Sequence, residues 1–295
     1  MPQTTSQVSA VARLFSSSVM RELSRNGRSP LFARLGREVS PLVERLAPEN
    51  VAEFFDAAFD ALKRSDFRHE YIYKAALTHK VLLGTHSLHT ASMIHEFRVG
   101  ECKADVAILN GTSTVYEIKS ERDSLSRLER QIEAYCRFFA KVYVIAGENH
   151  IDGVRSQVSE DVGVLKLSSR HRISTVREAR ELPERTCSVT IFESIRTSEA
   201  KAILDLLDMD APNVPNTEMH AALRDIYAKL PSALTHAAMV RVLKQSRNLL
   251  PLSDLVGSLP RSLQSAALSM PLRRGDHSRL LGAMNTPIRT ALAWG

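Results

Sequence analysis

The pattern of hydrophobic and polar positions is clearest on either side of Asn110-Gly111. The β-rich run Lys103-Ala-Asp-Val-Ala-Ile-Leu109 precedes that dipeptide and Thr112-Ser-Thr-Val-Tyr-Glu-Ile-Lys-Ser120 follows it. Asn and Gly both tolerate positive φ, so the pair is a strong short-range hairpin signal. Side chains on a strand alternate faces, which puts Glu117 and Lys119 on one face, Tyr116 and Ile118 on the other, and lets Asp105 lie beside Glu117 on the paired strand. Downstream, Leu125, Leu128, Ile132, Tyr135 and Phe139 recur at three- and four-residue steps, predicting a helix with Asp123 as its N-cap. Gln131 and Tyr135, four apart, stack along that helix close to its apolar stripe. Lys141–Ala146 is a short β-branched run suited to a buried parallel strand, and Val162–Leu167 reads as a further strand. The order is strand, hairpin, strand, helix, strand.

The flanks read as helical. Residues 1–66 are helices punctuated by Gly27, Pro30, Gly36, Pro41 and Pro48, with a polar opening ten residues expected to fray. Pro48-Glu-Asn starts a helix whose apolar face runs through Phe54, Ala58 and Leu62. Residues 67–93 form a helix and a loop rich in histidine. His86-x-x-His89 has metal-binding spacing, but neither a cysteine nor a second spaced pair supports it, and surface or hydrogen-bonding roles fit better. Phe192–Leu207 is helical, Pro212 and Pro215 make a rigid connector, and Ala221–Leu230 begins a second helical run. Pro231-Ser-Ala-Leu-Thr then opens a helix at Ala237–Ser246. That pairing resembles a helix-turn-helix, either an ordinary packing unit or a DNA-reading one. The division expected is a helical extension over 1–66, an α/β core over 67–182, and a helical basic region over 183–295.

Composition bounds the class. The chain has 295 residues and an ordinary 44% apolar content, enough for one large domain or two small ones. No stretch reaches the roughly 18 uninterrupted apolar residues of a membrane span, and no basic-then-apolar leader is expected. Cys102, Cys136 and Cys187 are widely spaced, which argues against a disulfide frame and fits a reducing cytoplasm. Net charge is +6, and all of it lies between residues 211 and 295, where ten Lys and Arg stand against four Asp and Glu. Such a concentration suits phosphate backbones through counterion release, or a solvated helical face. Arg273 and Arg274 are candidate phosphate contacts there. Arg122 and Arg127, with Arg130, are candidates beside the predicted site helix.

Two close carboxylates repel, and such a pair persists mainly by coordinating a cation or sharing a proton. Mg²⁺ suits Asp105 and Glu117, because it takes carboxylate oxygens, keeps several waters and accepts substrate phosphate. A bound metal lowers the pKa of its water and neutralises charge on a phosphodiester. Lys119 would orient or deprotonate that water, or meet the phosphate as a point charge. An exposed hairpin carrying an ordinary ion pair is the structural alternative.

From about Glu96 to Ala146 the chain resembles the PD-(D/E)XK nuclease superfamily, with its restriction-endonuclease-like fold. Ala104-Asp-Val-Ala, Tyr116-Glu-Ile-Lys-Ser-Glu-Arg-Asp123, Arg127-Leu, Gln131 and Tyr135 resemble more narrowly the bacterial sce7726 family. The resemblance implies an α/β fold, a mixed sheet flanked by helices, inside helical N- and C-terminal extensions. It implies that Asp105 and Glu117 hold Mg²⁺ or Mn²⁺, that Lys119 serves the nucleophilic water, and that Glu96 completes the metal site. Gln131 and Tyr135 match a Gln-x-x-x-Tyr element lying beside the site in RecB-like members. Ala104 stands where the superfamily pattern has proline before the Asp, a departure shared by many members. The expected function is metal-dependent hydrolysis of phosphodiester bonds, in DNA ahead of RNA, in a defence, mobile-element or repair context. A non-catalytic nucleic-acid-binding module and an RNA-directed nuclease toxin are the alternatives. No membrane partner is expected, and a homodimer is left open.

Overall fold

A computed structural model describes residues 5–43, 46–64 and 69–295; expectations for 1–4, 44–45 and 65–68 lie outside the described residues. In chain order the elements are α1 (Thr5–Leu14), α2 (Ser17–Asn26), α3 (Pro30–Val43), α4 (Val51–Lys63), α5 (Glu70–Leu77), β1 (Ser92–Val99), β2 (Cys102–Leu109), β3 (Ser113–Lys119), α6 (Leu128–Cys136), β4 (Lys141–Ala146), α7 (Ile151–Gln157), β5 (Gly163–Leu167), β6 (Ile173–Arg177), α8 (Ser188–Ser194), α9 (Thr197–Leu206), α10 (Asn216–Tyr227), α11 (Ser232–Ser246), α12 (Ser253–Ser258), α13 (Gln264–Leu268), α14 (Arg274–Met284) and α15 (Ile288–Ala291). None of the described helices is long and apolar enough to cross a membrane.

The chain divides into two compact units along lines that composition does not mark. One comprises Met1–Val81, Ser169–His171 and Leu250–Gly295; the other comprises Leu82–Ser168 and Arg172–Leu249. The first unit therefore joins helices from both ends of the chain, and the second holds the whole sheet together with α8–α11.

The helical unit is built around aromatic side chains. Asn50 caps α4 by accepting from the Glu53 N–H (3.0 Å), while Glu53 accepts from the Glu49 N–H (2.8 Å). That fixes the start predicted at Pro48-Glu-Asn, and Phe54, Phe55, Ala58 and Leu62 of α4 are buried. Phe15 stacks on Tyr71 with centroids 4.5 Å apart, and Phe32 meets Phe54 and Phe55. Of the opening ten residues expected to fray, those from Thr5 onward are helical in α1. Gly36 and Pro41 lie inside α3, whereas Gly27 ends α2 at φ 68°, a conformation glycine adopts without strain.

The second unit is an α/β fold whose mixed six-stranded sheet runs in sequence order from β1 to β6. β1–β2, β2–β3 and β5–β6 are antiparallel; β3–β4 and β4–β5 are parallel. The predicted hairpin forms at Asn110-Gly111, with Gly111 at φ 105°. α6 and α7 make the two crossovers that parallel strands need. Every residue of β3 is buried, as expected for an inner strand covered on both faces. Val115, Val142, Val144 and Ala146 join Leu128, Ile132 and Tyr135 of α6, and Ile191, Ile203, Leu223 and Met239 of α8–α11, in one apolar cluster.

Three local expectations change. Asp123 caps no helix: it accepts from the Ser120 N–H (2.7 Å) and hydroxyl (2.6 Å), closing a turn, and α6 begins five residues later at Leu128. The predicted helix over 192–207 is two helices, broken at Ile195-Arg196. The helix of the helix-turn-helix pairing, expected from Ala237, begins five residues earlier. α11 starts at Ser232 and buries Thr235, His236, Ala238, Met239, Val240, Val242 and Leu243 against α8, α9 and β2. Its inward face is committed to the core, while Leu234, Ala237 and Arg241 stay exposed.

His236 ties that helix to the sheet. Its Nε2 lies 2.8 Å from Ser113 Oγ, which accepts from the Ala140 N–H (3.1 Å) and so has its hydroxyl hydrogen available for the ring. A neutral imidazole satisfies that arrangement, and burial pushes the His236 pKa down to about 4. The unfolded ring protonates near its ordinary 6.5, so between about 6.5 and 4 the unfolded state binds the extra proton and stability falls as pH falls. Urea midpoints measured across that window should drop with acidification, and His236→Gln, which keeps an acceptor for Ser113, should flatten the trend. A parallel pH dependence in parent and variant would assign the effect elsewhere.

Candidate functional site

The paired register of β2 and β3 ends at Val106–Tyr116, so Asp105 and Glu117 are the next residues on the two neighbouring strands. The ladder stops there because the Ile118 N–H turns to Asp105 Oδ2 (2.7 Å). On the other side of β2, pairing with β1 skips the position opposite Asp105 as well. His95 pairs Val106, Phe97 pairs Ala104, and the intervening Glu96 has φ 55°. That left-handed conformation is costly for a non-glycine residue and is commonest where a strand is bent for a purpose.

Strand parity brings Glu117 and Lys119 under α6. Lys119 Nζ donates to Glu117 Oε1 (2.9 Å) and to Gln131 Oε1 (2.8 Å). Gln131 Nε2 donates to the same Glu117 oxygen (2.6 Å), and the Tyr135 hydroxyl donates to Glu117 Oε2 (2.9 Å). The four residues form a closed network with Glu117 at its centre. Glu117 is 2% exposed and Lys119 5%, so the pair is not the surface ion pair of an exposed hairpin. Burial pushes the Glu117 carboxyl up, opposed by the Lys119 charge and by the three hydrogen bonds. Burial and the adjacent Glu117 carboxylate both push the Tyr135 phenol up, which keeps it a donor.

Asp105, Glu117, Lys119, Gln131 and Tyr135 are thus brought together. Glu96 is not. Its side chain is 57% exposed and pairs with Lys103 of β2 at 2.9 Å. Among the described residues no three His, Cys, Asp or Glu converge as a metal-binding group. Two carboxylates on neighbouring strands still match the way Mg²⁺ is held, by one or two protein carboxylates with water and substrate oxygens filling the remaining positions. Residues Asp105 and Glu117 fit that mode; the set that includes Glu96 does not.

Of the basic candidates, Arg122 and Arg127 are exposed in the segment between β3 and α6, and Arg127 stands at the N-cap of α6. Arg273 and Arg274 are exposed at the start of α14, in the helical unit. Arg247, which belongs to the C-terminal basic excess, is structural. It grips Glu199 through Nε (3.0 Å) and Nη2 (2.9 Å) and lies 5.2 Å from the Phe97 ring. Burial pushes the Glu199 carboxyl up, but Arg247, the Arg196 N–H and Ser246 outweigh it and hold it at about 2. Sequence reasoning missed this pair, since nothing local links residues 48 apart. His86 is paired to Asn110 Nδ2 at 2.8 Å, a hydrogen-bonding role and not a metal one.

Fold and site together define an α/β protein with a buried carboxylate–amine network under its first crossover helix. The family described as bacteriophage P4 protein cII matches residues 63–250, and the chain belongs to that family. Protein cII of Enterobacteria phage P4 is 34% identical over 121 residues, 40% of this chain, and the match spans 41% of that protein's length. A solved structure, the SPO1766 protein of unknown function from Silicibacter pomeroyi, is similar over 41% of this chain and 82% of its own, at 21% identity and a TM-score of 0.28. A likeness that low carries no argument.

Proposed function

We propose that this chain is a metal-dependent nuclease on a restriction-endonuclease-like core, hydrolysing phosphodiester bonds in DNA ahead of RNA. The observation that carries the reading is the buried Lys119 amine held 2.9 Å from Glu117, with Asp105 on the neighbouring strand bonded to the Ile118 N–H. An ion pair that deep costs desolvation and is weak support for stability alone, so a chemical use explains it better. The β2–β3 hairpin, the α6 crossover and the parallel β4 fit the core expected from the sce7726-like motifs. Asp105 and Glu117 would hold Mg²⁺ or Mn²⁺, which supplies an acidified water and neutralises phosphate charge. Lys119, which donates to Glu117 and Gln131 as an ammonium, would orient that water or meet phosphate charge, while Gln131 and Tyr135 fix the Glu117 carboxylate. Incubation of plasmid DNA and of tRNA with and without Mg²⁺ tests this: Mg²⁺-dependent plasmid cleavage is expected, and cleavage of tRNA alone would reassign the substrate to RNA.

A second reading, a nucleic-acid-binding module without catalysis, is favoured by one observation. Both Glu117 oxygens are already engaged by protein donors. Intact plasmid and tRNA under all conditions, with binding retained, would establish it.

Phosphate grip is assigned to Arg273 and Arg274 in either reading. Changing both to Gln should flatten the plot of log affinity against log salt by about one slope unit for each phosphate no longer neutralised. An unchanged slope would move the grip to Arg122 and Arg127.

A further inference from the structure

A cavity of about 460 Å³ lies on the far side of the site helix. Gln131 and Tyr135 of α6 turn toward Glu117, whereas Arg130, Glu133 and Arg137, at three- and four-residue steps, line this cavity. β1 adds Arg98, the β1–β2 turn adds Glu101, and α8 adds Thr190 and Glu193. None of the Glu117 network lines it, so it is a separate place in the fold.

Its charges are unevenly satisfied. Arg98 and Arg130 have no ion-pair partner among the described residues. Arg137 is held in place by neutral groups alone: Nε donates to Thr190 Oγ1 (3.3 Å) and Nη2 to Cys187 Sγ (3.8 Å). Its orientation is set while its charge is left uncompensated. Of the carboxylates, Glu193 is engaged by Arg224 at 3.1 Å, leaving Glu101 and Glu133. Three guanidiniums therefore outnumber two unengaged carboxylates around a space of ligand size.

We propose that this cavity binds a single phosphate group of a nucleotide-sized ligand. Guanidinium is the side chain best shaped for phosphate, giving parallel hydrogen bonds to two oxygens. Glu101 and Glu133 would repel a run of phosphates laid through the cavity, which favours one terminal phosphate over a continuous backbone. The phosphate comes either from a free nucleotide or from the 5′ end of a strand. For its substrate class the inference rests on the nucleic-acid reading, but it does not require cleavage.

The test is binding, measured by fluorescence anisotropy in EDTA, of a short single-stranded oligonucleotide labelled at its 3′ end, with or without a 5′-phosphate. The phosphorylated strand should bind on the order of tenfold more tightly, the worth of one charge-assisted contact. Arg98→Gln with Arg130→Gln should remove the preference. The single variant Arg130→Glu, at an exposed position, should remove it too, with melting unchanged in both. Lys119→Met should keep it. Competition by dAMP assigns the site to the free nucleotide phosphate, and a 5′-phosphate preference that dAMP does not displace assigns it to a strand end. Equal binding of the two oligonucleotides with no competition by dAMP overturns the proposal. Loss of Mg²⁺-dependent cleavage with the preference intact would overturn the nuclease reading alone.

Discussion

Replacing Lys119 with Met is expected to lower the cleavage rate on the order of 10²-fold or more while leaving substrate affinity unchanged. The amine is positioned by Glu117 and Gln131, so it meets the reacting water or phosphate in the transition state more than it meets bound substrate. Methionine keeps the volume of the stem and leaves no hole under α6. Glu117 keeps its hydrogen bonds from Gln131 and Tyr135, and its carboxyl, already raised by burial, has a neutral form to fall back on. Single-turnover cleavage set beside binding in EDTA separates the two effects. Equal turnover in parent and variant would sink the role assigned to Lys119.

The second large effect is on stability. Glu117→Ala removes the carboxylate and strands a Lys119 ammonium that is only 5% exposed. Breaking a buried pair from one side costs about 3–5 kcal/mol, because the remaining charge is left without its partner and without water. Tyr135 and Gln131 lose their acceptor in the same step. Glu117→Gln keeps an acceptor and the volume, so it should unfold in urea much closer to the parent. Combined with Asp105→Asn it should abolish Mn²⁺ binding measured by calorimetry while the far-UV spectrum persists. A double variant that binds Mn²⁺ as tightly as the parent places the metal elsewhere.

Much of the site was legible because its signals are local. The two-residue parity of a strand put Glu117 and Lys119 together, Asn110-Gly111 set the hairpin that puts Asp105 on the neighbouring strand, and the four-residue step put Gln131 over Tyr135. What escaped depends on bends and on long range. Glu96 sits in sequence where a third acidic ligand would, but its positive φ turns the strand there and its carboxylate meets Lys103 instead. Asp123 reads equally well as a helix cap or a turn cap, and the hydroxyl of Ser120 decides for the turn. β6 has a mostly exposed edge pattern, without the apolar run that marks an inner strand. α11 carried the spacing of a helix after a proline turn, and only its neighbours reveal that its apolar face is used inside the protein.

The helical unit being made from both ends of the chain has a consequence for the order of events during synthesis. Its ties include the Val51 N–H on the Thr286 carbonyl (3.1 Å) and the Ile288 N–H on the Glu49 carbonyl (2.9 Å), which cannot form until Thr286 and Ile288 have left the ribosome. The sheet unit waits for nothing beyond Leu249, and Ser92 bonded to the Arg247 carbonyl clasps its own beginning to its end. Folded first, it replaces a long flexible excursion by a short closed one and lowers the entropic cost of bringing the outer helices together. The catalytic candidates would then be assembled while α1–α5 are still waiting for α14 and α15.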